Sequence, residues 1–75
     1  MTKLLDRITI VPEICGGRPT IRGMRICVSD VLDMLAGGDT KETILREFPY
    51  LEGADVDASI AYAAKVLREP STHAA

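Results

Sequence analysis

The chain has 75 residues, a formal net charge of −2, and one Phe, two Tyr and no Trp, so it holds a single domain with an aliphatic core near the minimum that folds alone, for which an oligomer or obligate partner is expected. Cys15, Cys27 and the distant His73 match no zinc-ligand or disulfide-framework spacing, and no run is apolar for long enough to serve as a signal peptide or span a bilayer. Free thiols and a cytoplasmic location follow as expectations, and the weakly acidic balance argues against a generally basic nucleic-acid-binding surface.

The charge is uneven. Residues 1–28 carry Lys3, Arg7, Arg18, Arg22 and Arg25 against Asp6 and Glu13, whereas the remainder carries nine acids against Lys41, Arg46, Lys65 and Arg68. A basic N-terminal part is joined to an acidic one, and the two either neutralise each other in one fold or leave the basic part for an anionic partner.

In chain order, β-branched Arg7–Val11 predicts a short strand ended by Pro12. A loop follows in which Gly16 and Gly17 permit backbone conformations other residues resist. The stretch Gly16–Val28 predicts a hairpin. With Gly23-Met24 as a two-residue type II′ turn, Arg22 and Arg25 become cross-strand neighbours. Alternation then puts Arg18, Thr20, Arg22, Arg25 and Cys27 on one face and Ile21, Ile26 and Val28 on the other, against Val31 and Leu35. Pro19 makes its arm an edge strand. Like charges opposed across a hairpin repel, so the three arginines need an anionic partner, either within the chain or in something it binds.

Ser29 caps a predicted helix Ser29–Ala36, with Asp30 and Asp33 in its first turn and Val28, Val31, Leu32 and Leu35 as its apolar stripe. Gly37-Gly38 ends it in the manner of a left-handed C-cap. Asp39-Thr40-Lys41-Glu42 reads as a capping box opening a second short helix, whose stripe is Ile44, Leu45 and Phe48 and which stops at Pro49. The short connection between the two is that of a helix-turn-helix pair. A third helix is predicted over Ala54–Arg68, with Val56, Ile60, Ala63, Ala64 and Leu67 facing the core. Ala54, Ala58, Ala61 and Tyr62 form a second line, read either as a self-association surface or as plain helix-forming alanine. Pro70 ends the helix, leaving an ordered core over 7–69 and a loose tail over 70–75. The fold class expected is mainly α with a short N-terminal β element, a three-helix, helix-turn-helix bundle in one domain spanning 1–75.

With a strand, Gly-Gly-Arg-Pro-x-Ile-Arg-Gly-x-Arg-Ile-x-Val, a helix stopped by glycines, a capped helix ending in Phe-Pro-Tyr-Leu and an Ala-rich helix in place, the chain resembles the bacterial domain-of-unknown-function family four-three-three over roughly Arg7 to Leu67. It departs from the family pattern at Met24, where Thr is usual, and at Cys27, where Pro is common. The resemblance implies a homeodomain-like helix-turn-helix fold preceded by short strands. It also implies an antitoxin-like role opposite a PIN-like ribonuclease toxin.

The residues bear on four functions. As an antitoxin, the chain would present Arg18, Arg22 or Arg25 to the carboxylates with which a nuclease holds its metal; the alternative pairs these arginines with Asp30, Asp33 or Glu52 of their own chain or dimer mate. As a DNA-binding regulator of its own operon or a stand-alone transcriptional regulator, it would use the basic hairpin, because Asp55 and Asp57 at the start of the third helix repel phosphate. As an enzyme it lacks company for Cys15, no base being near and no lysine following the glycines, so no catalytic residue, metal or cofactor is expected. A homodimeric adaptor without nucleic-acid binding is the remaining reading.

Overall fold

Strand β1 (Ile8–Thr9) pairs antiparallel with β2 (Thr20–Ile21) in the register Ile8↔Ile21 and Thr9↔Thr20, in a computed structural model that describes the backbone of residues 2–69 and the side chains of residues 4–69. The tail expected over 70–75, with His73, lies outside the described residues. The strand is shorter than Arg7–Val11, because the chain before it, Thr2–Arg7, winds into a 3-10 helix that packs on the third α-helix. The Thr9 and Thr20 hydroxyls lie 2.9 Å apart, and the Gly23 amide donates to Thr9 Oγ1 at 2.9 Å, fixing the turn after β2 onto β1.

Helix α1 (Val28–Ala36) begins one residue before Ser29, because Asp30 Oδ2 accepts the Cys27 amide at 3.2 Å and makes Cys27 the cap position. It ends as a Schellman motif: Asp39 N–H donates to Met34 O at 3.0 Å and Gly38 N–H to Leu35 O at 3.1 Å, with Gly38 at φ 103° supplying the left-handed residue the motif needs. Helix α2 (Lys41–Glu47) is capped by Thr40 rather than Asp39, its Oγ1 accepting from Thr43 N–H at 3.2 Å. Helix α3 (Gly53–Arg68) follows a turn in which Leu51 N–H donates to Phe48 O at 2.9 Å.

The three helices close over a core of Ile21, Ile26, Val28, Val31, Ile44, Leu51 and Val56. The aliphatic side of the chain around β2 thus meets Val31, with Leu35 packed at the cluster's edge, as alternation predicts. For α3 the expected faces are corrected. Val56 is buried, but Ile60 is 49% and Leu67 67% exposed; the inner face is Asp55, Ala58 and Ser59, with Tyr62 packed against the core. The hydrophobic stripe misleads here because two of the inward residues are polar. Ser59 is satisfied by donating from Oγ to Asp55 O at 3.0 Å, and Asp55 by ion pairs described next.

Candidate functional site

Asp55 stands at the third position of α3, where a carboxylate can reach back to the cap residue and favours the positive end of the helix dipole. Its side chain is fully buried. Oδ1 accepts from Arg7 Nη1 at 2.9 Å and from Arg22 Nε at 3.1 Å. Oδ2 accepts from Arg22 Nη2 at 2.8 Å and from the Glu52 amide at 2.8 Å. Each oxygen therefore takes two donors, which fills the acceptor capacity of a carboxylate. Burial acts to raise the Asp55 pKa, but the bonds from Arg22, from the Glu52 amide and from Arg7 outweigh it, and the carboxyl titrates below the usual aspartate range. Arg7 also donates to Glu52 Oε1 at 2.7 Å; bonds to Glu52 and Asp55 hold its pKa, and the bond to Asp55 that of Arg22, above the ordinary arginine value.

This network corrects the predicted hairpin. The turn residues are Arg22 and Gly23, at φ 46° and 72°, with Met24 N–H donating to Ile21 O at 2.8 Å; two positive φ angles are what a type I′ turn requires. Thr20 faces Cys27 across an isolated bridge, so Arg22 and Arg25 both lie in the connecting loop and are not cross-strand neighbours. Thr20 and Cys27, placed with the arginines by alternation, are 0% and 3% exposed. An arginine-faced ribbon is therefore absent, and the three guanidinium groups go to three places.

Arg22 is committed inward to Asp55, and its Nη2 also donates to the Tyr50 carbonyl at 3.0 Å. Its partner is neither Asp30, Asp33 nor Glu52, but Asp55 at the start of α3. Arg18 donates from Nε to Cys15 O at 3.0 Å and borders a groove between α1 and α3. Arg25 is exposed. It shares one hollow with Gly23, Met24 and Tyr50 and another with Asp30, Asp33, Met34 and Phe48, and its side chain makes no hydrogen bond or ion pair with the described residues. Tyr50 is 52% exposed and meets Phe48 edge-on at 6.1 Å between ring centroids. The surface where half-buried Met24 borders exposed Arg25 and Tyr50 is thus built by the buried acid: Asp55 holds Arg22, and Arg22 holds both the turn before Arg25 and the carbonyl of Tyr50.

Gly16 and Gly17 adopt φ 65° and 83°, consistent with the loop read from them. Of the line Ala54, Ala58, Ala61 and Tyr62, Ala58 is fully buried and Tyr62 packs on the core, so the four do not form one exposed strip. The Cys27 thiol is pushed up to about 11 by its hydrogen bond with Cys15 and by burial. Among the described residues no group of His, Cys, Asp and Glu side chains could hold a metal ion, and no helix is long and apolar enough to cross a membrane. Asp55 and Tyr50 are the site residues sequence reasoning missed. The signal for Asp55 was an arginine surplus in need of acid, together with an acid at the third position of a helix.

The family model described as "Protein of unknown function (DUF433)" matches residues 8–63, which include Arg22, Arg25, Tyr50 and Asp55. The chain is 36% identical over 56 residues to the uncharacterized protein y4eO of Sinorhizobium fredii, covering 75% of this chain but only 25% of that protein. It is similar, at 30% identity and a TM-score of 0.77, to the crystal structure of a DUF433 member protein from Anabaena variabilis, covering 85% of this chain and 63% of that one.

Proposed function

The chain belongs to the DUF433 family, and from that premise and the arginine geometry we propose that it is an antitoxin-like binding protein, acting in the cytoplasm as a homodimer, that neutralises a PIN-like ribonuclease through the surface of Met24, Arg25 and Tyr50. The observation that supports this reading is the division among the guanidinium groups. Arg22 is used up by Asp55 and the Tyr50 carbonyl, whereas Arg25 stands exposed beside a half-exposed tyrosine with no bonded acid among the described residues. Arginine, tyrosine and methionine are enriched in protein interfaces, and the first two dominate their energetics.

PIN-like nucleases gather carboxylates around divalent metal, and the planar guanidinium fork matches a carboxylate bidentately. Arg25 entering such a cluster takes the carboxylates the metal needs, while Tyr50 and Met24 supply apolar contact around it. RNA cleavage then stops. The N-terminal end of α3 favours no direct reading of DNA, since its partly exposed charges, Glu52 and Asp57, are acids paired with Arg7 and Lys41, the wrong sign for phosphate. Any contact with operon DNA falls to Arg18 and Arg25.

Affinity purification of the tagged chain from its native host should retain a small, carboxylate-rich nuclease. Adding wild-type chain to that nuclease with Mg²⁺ or Mn²⁺ should stop RNA cleavage, and Arg25→Glu should not. Recovery of no nuclease, or full inhibition by the Glu variant, would overturn the reading.

A further inference from the structure

Cys15 and Cys27 flank β2 in the chain and meet in the fold. Pro19 O accepts the Val28 amide at 2.9 Å, and Thr20 faces Cys27 across the isolated bridge, so the residues just after the glycine loop lie against the start of α1. Cys15 O in turn accepts the Arg18 amide at 3.2 Å and Arg18 Nε at 3.0 Å. These bonds fold the loop back on itself, and the two thiols, both free, are hydrogen-bonded to each other.

The two sulfurs differ in the properties that govern oxidation. Cys15 is half-buried and opens a run of three left-handed residues, with φ 53°, 65° and 83° at Cys15, Gly16 and Gly17. The glycines take such angles freely, whereas a cysteine does so at a cost that the two bonds from Arg18 offset. Cys27 is only 3% exposed. Its hydrogen bond with Cys15 and its burial keep it protonated, against the Arg18 guanidinium, whose charge favours the thiolate. One thiol is therefore open to a small oxidant with a cation nearby, and the other is open only to the first.

We propose that Cys15 and Cys27 form a redox modification site, at which a peroxide joins them reversibly in a disulfide within the chain. The Cys15 thiolate attacks the peroxide, its S–O bond forms as the O–O bond breaks, and the hydroxide released takes up the proton that Cys15 gave up and becomes water. The Cys27 sulfur then attacks the sulfenic acid on Cys15. The S–S bond forms, the S–O bond breaks, and hydroxide leaves with the Cys27 proton as a second water. Two thiols lose two electrons and one peroxide becomes two waters, so the step balances without another reactant. The ring so closed carries β2, the Arg22-Gly23 turn and Arg25, and fastens the cap residue of α1 to the glycine loop. Oxidation thus stiffens the segment on which Arg18 and Arg25 stand, and in a reducing compartment such a bond is transient and sensing rather than structural.

Hydrogen peroxide in small excess over the reduced full chain should lower its mass by about 2 Da, the two hydrogens lost. It should also link the Cys15 and Cys27 peptides in a digest, and dithiothreitol should reverse both changes. The oxidised chain should melt roughly 10 °C higher than the reduced one, as expected for a short closed loop. Cys27→Ser, which keeps a capping group on α1, should stop at the Cys15 sulfenic acid and be trapped by dimedone, and Cys15→Ser should leave Cys27 unmodified. Should either variant fail to fold, the mass and peptide map of the wild-type chain decide. Peroxide that carries Cys15 to the sulfinic acid while Cys27 stays free overturns the proposal. So does a disulfide that joins two chains, or one that leaves the melting temperature unchanged. No readout here involves the nuclease, so this test is separate from that of the Arg25 surface.

Discussion

A carboxylate with four donors and no water contact is worth most when it is charged. The Asp55 pKa lies below the roughly 3.9 of an unfolded aspartate, so its stabilisation is fully present above about pH 5 and is lost as pH falls through the folded value. Asp55→Asn should cost about 3 kcal/mol at pH 7, the low end for breaking a buried ion pair, because Arg7 and Arg22 keep 29% and 36% of their side chains in solvent. Urea unfolding at pH 7 and pH 3 checks both parts: the gap between wild type and variant should narrow on acidification. Cys27 gives the opposite sign. With its thiol pushed up to about 11, it stays protonated through neutrality, and its contribution fades only as pH rises above the roughly 8.5 of a free thiol. A thiol reagent at pH 8 should label half-buried Cys15 first and Cys27 only at the rate of unfolding.

At the level of single elements, the helices were legible because each shows an apolar period with its own start and stop chemistry. The Schellman end at Gly38 follows from a Gly-Gly pair, and the α2 cap lies one residue from where the box pattern put it. Thr40→Ala should lower stability by about 1 kcal/mol in chemical denaturation. The turn after β2 was misplaced by one residue, since both Gly23-Met24 and Arg22-Gly23 put a glycine where positive φ is needed. What separates them is Arg22, held at φ 46° by an aspartate 33 positions away, a contact local pattern does not report. Gly23→Ala meets no atom within 4 Å, so its cost, about 1 kcal/mol, should come from left-handed backbone strain alone. Ile26→Asp puts an unpaired charge in the core and should abolish cooperative melting. The face of α3 was misread for a related reason: Asp55 and Ser59 are polar by type but inward by position.

Over the whole molecule, the basic first part and the acidic helical part do meet, but only partly. Arg7 and Arg22 are absorbed by Glu52 and Asp55, which turns two of the N-terminal cations into structure and leaves Arg18 and Arg25 outside. The sequence therefore showed that a surplus of arginine required acid, and only the fold showed which arginine had found it. In the proposed complex the exposed loop beside Tyr50 faces the nuclease. The most direct measurement is titration calorimetry of the captured nuclease with Arg25→Ala and wild-type chains of equal melting temperature. The account predicts that affinity falls at least about tenfold, the loss typical of an interface hot spot; equal affinity for the two chains would contradict it.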